Sequence, residues 1–493
     1  MVTRAAIVPG MPNATRRTKI LATVGPASES AEVLHEMAMA GMDAVRLNLS
    51  HGTIEHALVI HRRVREVARD MGRPIGTLVD LPGPKVRAGT FGVEGVELAD
   101  GQTVRLEPGN TQSDATVIQV DYEPLLESVQ MGDRISFGDG GIDCEVIYTG
   151  HQHLEAVIIH GGHISGRPGV HIPADRLRIN TPTPYDLQIL DAFVDEGVDM
   201  VAISFVRSAH DVRRLGTEPH PRGPLVVAKV ETRSAVENLP GIIDASGAVM
   251  IARGDLGIEY AMEEVPHLQK MITRECIARG RPAITATQML ESMSHAPTPT
   301  RAEATDVTNA VFDGSSVVML SGETAVGNDP VNVVATMARL CERADHGFDR
   351  AAWLRLVAPL RTAEVGHAHG DDERRTTDAM TSAATRVASS VNATAILCLT
   401  RSGFTVRAMA RFRPIQPILG FSPDERVRQQ LAVSWGTTPI AISGFDDNEV
   451  MVQEALELAR DEGHVRSGDN VVVLAGTNAR SPTTDVLRVM RVP

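Results

Sequence analysis

The sequence lacks the features that define several classes of protein. Its four cysteines, Cys144, Cys276, Cys341 and Cys398, lie far apart, with no CxxC pair and no His/Cys cluster at zinc spacing. That argues against a disulfide framework or a zinc module and predicts reduced, buried thiols. No run of about 18 apolar residues occurs, so no membrane span is expected. Met1–Arg17 carries basic residues but no apolar core or cleavage site, so residues 1–16 are expected to form a tail and the protein to be cytoplasmic. Positive charge is in deficit: 48 Lys and Arg against 62 Asp and Glu give a net charge of -14. Nucleic acids and membrane surfaces, both polyanions, are therefore not expected as partners. Neither GxxxxGK[ST] nor GxGxxG is found, so a bound nucleotide is not held by a P-loop or a Rossmann turn.

What remains is an ordinary globular composition, 43% hydrophobic and 22% charged. A chain of 493 residues exceeds what one core usually supports, so two to four domains are expected. From Thr18 onward an apolar run, a small or charged cluster and an amphipathic stretch recur. The runs at 18–24, 44–50, 75–80, 200–206, 225–231, 248–253, 282–287 and 316–321 are rich in Val, Ile, Ala and Leu. Parallel strands buried on both faces require that composition. With helical segments such as Glu29–Ala40 and Thr53–Asp70 between them, they predict a (β/α)8 TIM barrel built from 17–87 and 173–345.

Residues 88–172 break the rhythm. Short β-like pieces (Gln102–Leu106, Ala115–Val120, Arg134–Phe137, Asp143–Tyr148, Leu154–Ile159) alternate with Gly, Asp and Pro turns, predicting an inserted all-β lid domain over the barrel mouth. The polar stretch around His367–Arg375 marks a linker region at 346–376. Residues 377–493 read as a C-terminal doubly wound α/β domain, with strands Ala395–Thr400, Ile415–Gly420, Thr438–Ala441 and Asn470–Ala475 among helices.

Catalytic groups in such a barrel come from the C-terminal ends of several strands. Arg46, Asn48 and Ser50 alternate on the second strand and share a face, and burying three such groups unpaired would cost too much to be incidental. The third strand runs Asp80-Leu81-Pro82-Gly83-Pro84-Lys85-Val86-Arg87 into the lid, a charged and rigid hinge. Lys229 and Glu231 share a face of the fifth strand, and alone they read equally well as a salt bridge. The sixth ends Ala252-Arg253-Gly254-Asp255-Leu256-Gly257. Asp255 can join Glu231 as a second hard oxygen ligand, which suits Mg²⁺. The glycines allow close backbone approach, and the amides of the next helix can receive an anion. A lysine beside such a metal suits charge developing on a transferring phosphoryl group or an enolate. The seventh strand ends Thr285-Ala286-Thr287-Gln288 and the eighth Ser321-Gly322-Glu323-Thr324. Singly these read as helix caps, and jointly they line one mouth.

Seven motifs carry a resemblance. TKILATVGPAS (Thr18–Ser28), GMDAVRLNLSHG (Gly41–Gly52), VAKVE (Val227–Glu231), MIARGDLGIE (Met250–Glu259), AITATQMLESM (Ala283–Met293), PTRAEATD (Pro299–Asp306) and VMLSGETAVG (Val318–Gly327) together resemble the pyruvate kinase family. The resemblance implies phosphoryl transfer from phosphoenolpyruvate to ADP, giving pyruvate and ATP. It implies Arg46 and Lys229 on the transferred phosphate, with Lys229 also on the enolate oxygen, and Glu231 and Asp255 on Mg²⁺ or Mn²⁺. The Gly254 and Asp255 amides would hold the substrate carboxylate. Thr287, with Ser321 and Glu323 nearby, would support the water that protonates the enolate. Asn48, His51 and Arg87 match positions near the ADP phosphates. Thr400, Arg401, Ser402, Gly403 and Thr405 resemble an effector loop for a sugar phosphate or nucleotide, and a homotetramer is implied.

Departures from the family pattern are informative. Many members have Asp-Thr-Lys-Gly-Pro-Glu where this chain has Asp80 to Lys85. The glutamate form is associated with a K⁺ requirement, and Lys85 can supply that positive charge. K⁺ is therefore not expected to be required, with Asn48, Ser50, Asp80, Leu81 and Lys85 at the monovalent-cation positions. Gly138-Asp139-Gly140 stands for Asp-Asp-Gly in the lid, Tyr185 stands for a lysine where the lid rejoins the barrel, and Phe404 stands for a basic residue. Two other readings stay open: another Mg²⁺-dependent barrel enzyme acting on an enolate, and a catalytically weak paralogue that senses metabolites.

Overall fold

The computed structural model describes residues 16–138, 141–363, 372–444, 447–477 and 483–493. All but Arg16 of the expected tail, Asp139 and Gly140 of the lid triplet, and the part of the polar stretch at 367–371 fall outside them. Eight parallel strands close a barrel: β1 (Lys19–Val24), β2 (Ala44–Asn48), β3 (Gly76–Asp80), β4 (Met200–Ile203), β5 (Leu225–Val230), β6 (Ala248–Ala252), β7 (Ala283–Ala286) and β8 (Val317–Leu320). Each pairs in parallel with its sequence neighbours, and β1 closes on β8. Ile20, Val45, Val79, Val201, Ala228, Val249 and Val318 are wholly buried, as strands covered on both faces demand. Within β2 the half-buried positions are Arg46 and Asn48. Polar side chains thus interrupt the apolar strands at the mouth.

Two strand ends differ from expectation. β2 stops at Asn48 because the Asn48 side chain accepts the Ser50 amide (3.2 Å) and its carbonyl faces the His51 amide (3.4 Å). Ser50 therefore sits in a turn rather than on the face that carries Arg46. β4 stops at Ile203, two residues before Phe205 enters the left-handed region (φ 54).

Between β3 and β4 a seven-stranded sheet folds around its own core of Leu106, Ile118, Val120, Ile135, Cys144 and Leu154. The strands Thr103–Pro108, Val117–Val120, Arg134–Phe137, Ile142–Thr149 and Leu154–His160 lie where β-like pieces were read. Val86–Arg87, Val96–Leu98, Gly162–Ile164 and Gly169–His171 add short pairings of two or three residues, too brief to show a period.

The C-terminal sheet has β9 (Ala395–Leu399), β10 (Ile418–Ser422), β11 (Thr437–Ala441), β12 (Asn470–Ala475) and β13 (Val486–Arg491), in the order β11-β10-β9-β12-β13. β10 lies further along than the expected 415–420, since Pro417 stands before its first residue and Ile415 is exposed. β13 pairs antiparallel at the edge and was not anticipated, because no position in it is fully buried and no alternation marks it. The expected linker at 346–376 holds a helix, Arg350–Ala363. Trp353 and Val357 bury themselves beside Ile277 and Ala384, and Trp353 Nε1 donates to Arg411 O (2.8 Å). The segment therefore packs between barrel and C-terminal domain. Among the described residues no helix is long and apolar enough to cross a membrane.

Under the barrel, Asp43 gathers Arg16 (2.9 Å), Lys19 (3.4 Å) and the Ile20 amide (2.9 Å). Burial alone would raise its carboxyl, but Arg16 and Lys19 pull it from 3.8 down to about 2. A depressed carboxylate contributes stability that is full above the unfolded value and is lost as pH falls through the folded one. The shift is worth about 2 kcal/mol. Asp43→Asn is expected to lower stability at pH 7 by about 2 kcal/mol in a denaturant titration. The gap to the parent should close as pH falls below about 4. A gap of the same size at pH 3 and pH 7 would contradict the assignment.

Candidate active site

The C-terminal ends of the strands bring together a compact ionic cluster. Asp80, at the end of β3, is its hub. Arg46 Nε lies 2.7 Å from Asp80 Oδ2, and Lys229 Nζ lies 3.6 Å from Oδ1. Lys229 also sits 3.4 Å from Glu231 Oε2 and donates to Ser204 Oγ (2.7 Å). Ser204 Oγ in turn donates to Leu81 O (2.7 Å), and Arg46 reaches Thr23 Oγ1 (3.2 Å). Register brings these groups level: Asn48 pairs with Asp80, and Thr23 with Arg46. Asp80, expected as a cation-site position, thus orients both cations of the cluster. Ser204 and Thr23 were missed, being single hydroxyls whose partners lie on neighbouring strands.

The electrostatics follow from burial. Burial opposes the Lys229 charge, but Asp80, Glu231 and Asp255 raise its pKa above the ordinary lysine value. Burial raises Asp80, yet Lys229 and Arg46 hold it below the usual carboxylate range. Glu231 goes the other way: burial, with Asp255 and Asp80 adding, lifts it well above the ordinary value despite Lys229. Glu231 Oε1 accepts the Phe205 amide (3.3 Å), while Oε2 is buried and has no hydrogen-bond partner. A buried acceptor in that state, with a second carboxylate near enough to perturb it, fits a divalent cation. Among the described residues no three His, Cys, Asp or Glu side chains converge as a metal centre. Glu231 and Asp255 would hold such an ion as a pair, with the remaining oxygens coming from substrate and water.

Across the mouth, Asp255 and Gly254 stand in the first turn of the helix Arg253–Glu259, which begins directly after β6. Gly254 N donates to Thr287 Oγ1 (3.0 Å), and Thr287 Oγ1 donates to Ala286 O (2.7 Å). Thr287 and Gln288 have positive φ (66 and 53), costly for non-glycine residues. Arg253 holds them there. It donates to Ala286 O (3.2 Å), Thr287 O and Gln288 O (3.2 Å), and is anchored on Asp306 (2.7 Å). Its position beside Gly254 was legible, but its role was not.

Ser321 lies past the end of β8, its Oγ buried without a hydrogen-bond partner. Glu323 is fully buried, and its carboxylate accepts the Ser321 amide (2.6 Å) and the Leu290 amide (3.1 Å). It braces two mouth loops through their backbones instead of presenting oxygens to the cavity.

The remaining candidates lie on the rim. Gly83 is pinned by Asp186, whose Oδ1 accepts its amide (3.0 Å). Its φ of 67 and the 2.9 Å between an added Cβ and Phe205 leave no alternative to glycine. Lys85 and His51 are exposed, and Arg87 donates to Arg167 O (3.2 Å). Tyr185 is exposed in the first turn of the helix Pro184–Asp195. The lid's return strand is fastened to the Asp255 helix, since His171 Nε2 lies 3.1 Å from Glu259 Oε1, which also accepts the Ala174 amide (3.0 Å). Far from the mouth, Thr400 Oγ1 accepts the Gly403 amide (2.9 Å) and Thr405 Oγ1 shares a hydrogen bond with Thr484 (2.6 Å). Arg401 and Ser402 complete that loop.

A closed parallel barrel with Arg, Lys and carboxylates gathered at the ends of its strands, capped by an all-β insert, defines a barrel enzyme that handles an anionic substrate. The comparisons give the family. Residues 15–334 match the barrel-domain model of pyruvate kinase, and 378–490 its alpha/beta-domain model. The chain is 36% identical over 482 residues to pyruvate kinase 2 of Synechocystis, covering 96% of this chain and 79% of that protein. It is 35% identical to the pyruvate kinase of Thermococcus litoralis, covering 97% and 99%. A crystal structure of a pyruvate kinase from Cryptosporidium parvum superposes with a TM-score of 0.89 at 30% identity, covering 98% of each chain. The chain belongs to the pyruvate kinase family and is an enzyme of that kind.

Proposed function

We infer that the cluster transfers the phosphoryl group of phosphoenolpyruvate to ADP, with Mg²⁺ or Mn²⁺ held by Glu231 and Asp255. The observation that carries this is the buried Glu231 Oε2, which has no hydrogen-bond partner, lies 3.4 Å from Lys229 and feels the Asp255 charge. Arg46 and Lys229, both fixed by Asp80, face the phosphate. The P–O bond to the enol oxygen breaks as a terminal oxygen of ADP bonds phosphorus. Lys229 stabilises the negative charge left on the enol oxygen. A bound divalent ion would supply further neutralisation of phosphate and enolate charge. The substrate carboxylate meets the Gly254 and Asp255 amides, competing with Thr287 for the Gly254 N–H. Thr287, held by Arg253, and Ser321, held by Glu323, position the water that protonates the enolate carbon. Asn48, His51 and Arg87 are read as the residues on the side where ADP enters.

Incubation with phosphoenolpyruvate, ADP and Mg²⁺, with pyruvate coupled to lactate dehydrogenase, tests the reading. Steady NADH consumption that needs all three components is expected. Silence there, with turnover in a nucleotide-free lyase or aldol assay, would replace it with another enolate chemistry. Silence in both would leave a metabolite sensor.

K⁺ is not required in this reading, because Lys85 brings a fixed cation to the rim beside the pinned Gly83 turn. Turnover in K⁺-free Tris buffer is expected to change less than about twofold on adding KCl, an interaction already present in the free enzyme gaining nothing from the salt. A many-fold rise would overturn it. The Thr400–Thr405 loop is read as an effector site for a sugar phosphate or nucleotide, and the assembly as a cytoplasmic homotetramer, which light scattering would check.

A further inference from the structure

At the seam between barrel and C-terminal domain lies a narrow cavity with room for about one water-sized species. The barrel contributes Gly280, Arg281 and Ser316 to its wall, and the C-terminal domain contributes Arg407, Ala410 and Ser434. Arg411 and Arg413 also reach it, Arg411 with a carboxylate partner and Arg413 against carbonyls and aromatic rings, although Arg413 Nε and Nη1 are likewise buried without a hydrogen-bond partner. Arg411 lies 2.5 Å from Asp378. Arg413 donates to Ser315 O (2.8 Å) and stacks over the Trp435 ring, 4.5 Å from its centroid.

Arg281 and Arg407 are not answered in that way. Arg407 is 2% exposed. Its Nη2 donates to Ser402 O (2.8 Å), but Nε and Nη1 are buried with no hydrogen-bond partner among the described residues. The same holds for Arg281 Nε and Ser434 Oγ. Asp244 pulls on Arg281 from a distance but lies 3.6 Å from Arg279. Other neighbours add positive potential. Burial and then Arg281 push Arg407 down to about 9, and burial and then Arg374 push Arg281 to about 10. His220, near enough to feel both charges, is pushed to about 3 by burial, then Arg407 and Arg281, and stays neutral. A buried guanidinium beside a half-buried one, neither in an ion pair among the described residues, costs several kcal/mol. Their N–H groups are strong donors to an anion.

We propose that this seam holds one small inorganic anion of halide size, such as chloride, between Arg281 and Arg407. The cavity is too small for a phosphate ester. The anion is gripped by one residue from each domain, and Arg407 also carries the Ser402 carbonyl, so the ion joins the barrel floor to the base of the Thr400–Thr405 loop.

Crystals soaked in sodium bromide give the direct test: an anomalous peak between Arg281 and Arg407 is expected, and its absence overturns the proposal. Thermal melts in sodium chloride and in sodium gluconate at equal ionic strength give the second. Gluconate is too bulky for the cavity, and as a generic stabiliser it should favour the folded state more than chloride does. The parent is expected to reverse that order and melt about 2 °C or more higher in chloride, as binding to the native state requires. Arg407→Met should lose the reversal. An equal chloride response in parent and variant overturns the site. If Arg407→Met does not fold, Arg281→Met serves in the melts, and the bromide map needs no variant.

Discussion

Lys229→Met is expected to lower kcat by about a thousandfold with the fold intact, roughly 4 kcal/mol of transition-state stabilisation. Lys229 is the one ammonium touching Asp80, Glu231 and Ser204 among the described residues. In the proposed reaction it serves both the phosphoryl group and the enolate oxygen, so both halves lose by its removal. The fold should survive, because Asp80 keeps Arg46 at 2.7 Å and Glu231, already raised by burial, can take a proton. A stability cost of about 3 kcal/mol is expected for opening a buried ion pair. Lys229→Arg should not rescue activity, since a planar fork cannot replace a compact ammonium among these partners. Steady-state kinetics beside a denaturant titration checks both numbers. A kcat within tenfold of the parent would remove Lys229 from the chemistry.

Glu231→Gln is the second. The substitution keeps shape and removes charge from a position whose Oε2 has no hydrogen-bond partner. If Glu231 is a metal ligand, Mn²⁺ affinity measured by calorimetry should fall at least about tenfold, and kcat/KM by about a thousandfold. The melting temperature should barely move, because the folded state loses a buried charge that it does not fully pair. Unchanged Mn²⁺ affinity would make the Lys229–Glu231 contact a structural salt bridge, the alternative that the VAKVE motif alone leaves open.

Much of the architecture was legible because parallel strands buried on both faces read as continuous apolar runs. Val227 to Glu231 shows why the candidate site was legible too: two charges two residues apart inside such a run point to a site once Asp255 follows in the first turn of the helix after β6. The misreadings share a physical cause. Ser50 was placed on a strand because alternation continued past Asn48, yet the Asn48 side chain closes a turn there. β13 escaped because an edge strand half open to solvent need not alternate. Arg350–Ala363 escaped because its value lies in packing Trp353 against another domain. Ser204, Thr23 and Arg253 act through partners distant in sequence, and no local pattern records that. Glu323 is expected near the water that protonates the enolate, and its position fits support through the backbone, since its oxygens are held by two amides.

The central claim is that the mouth formed by Lys229, Glu231 and Asp255 performs metal-assisted phosphoryl transfer. Its most direct test is the rate of pyruvate formation from phosphoenolpyruvate, ADP and Mg²⁺ by Asp255→Asn beside the parent. The account predicts rapid turnover by the parent and a loss of about a thousandfold in the variant, with the melting temperature preserved. A variant that keeps its activity within tenfold would contradict it.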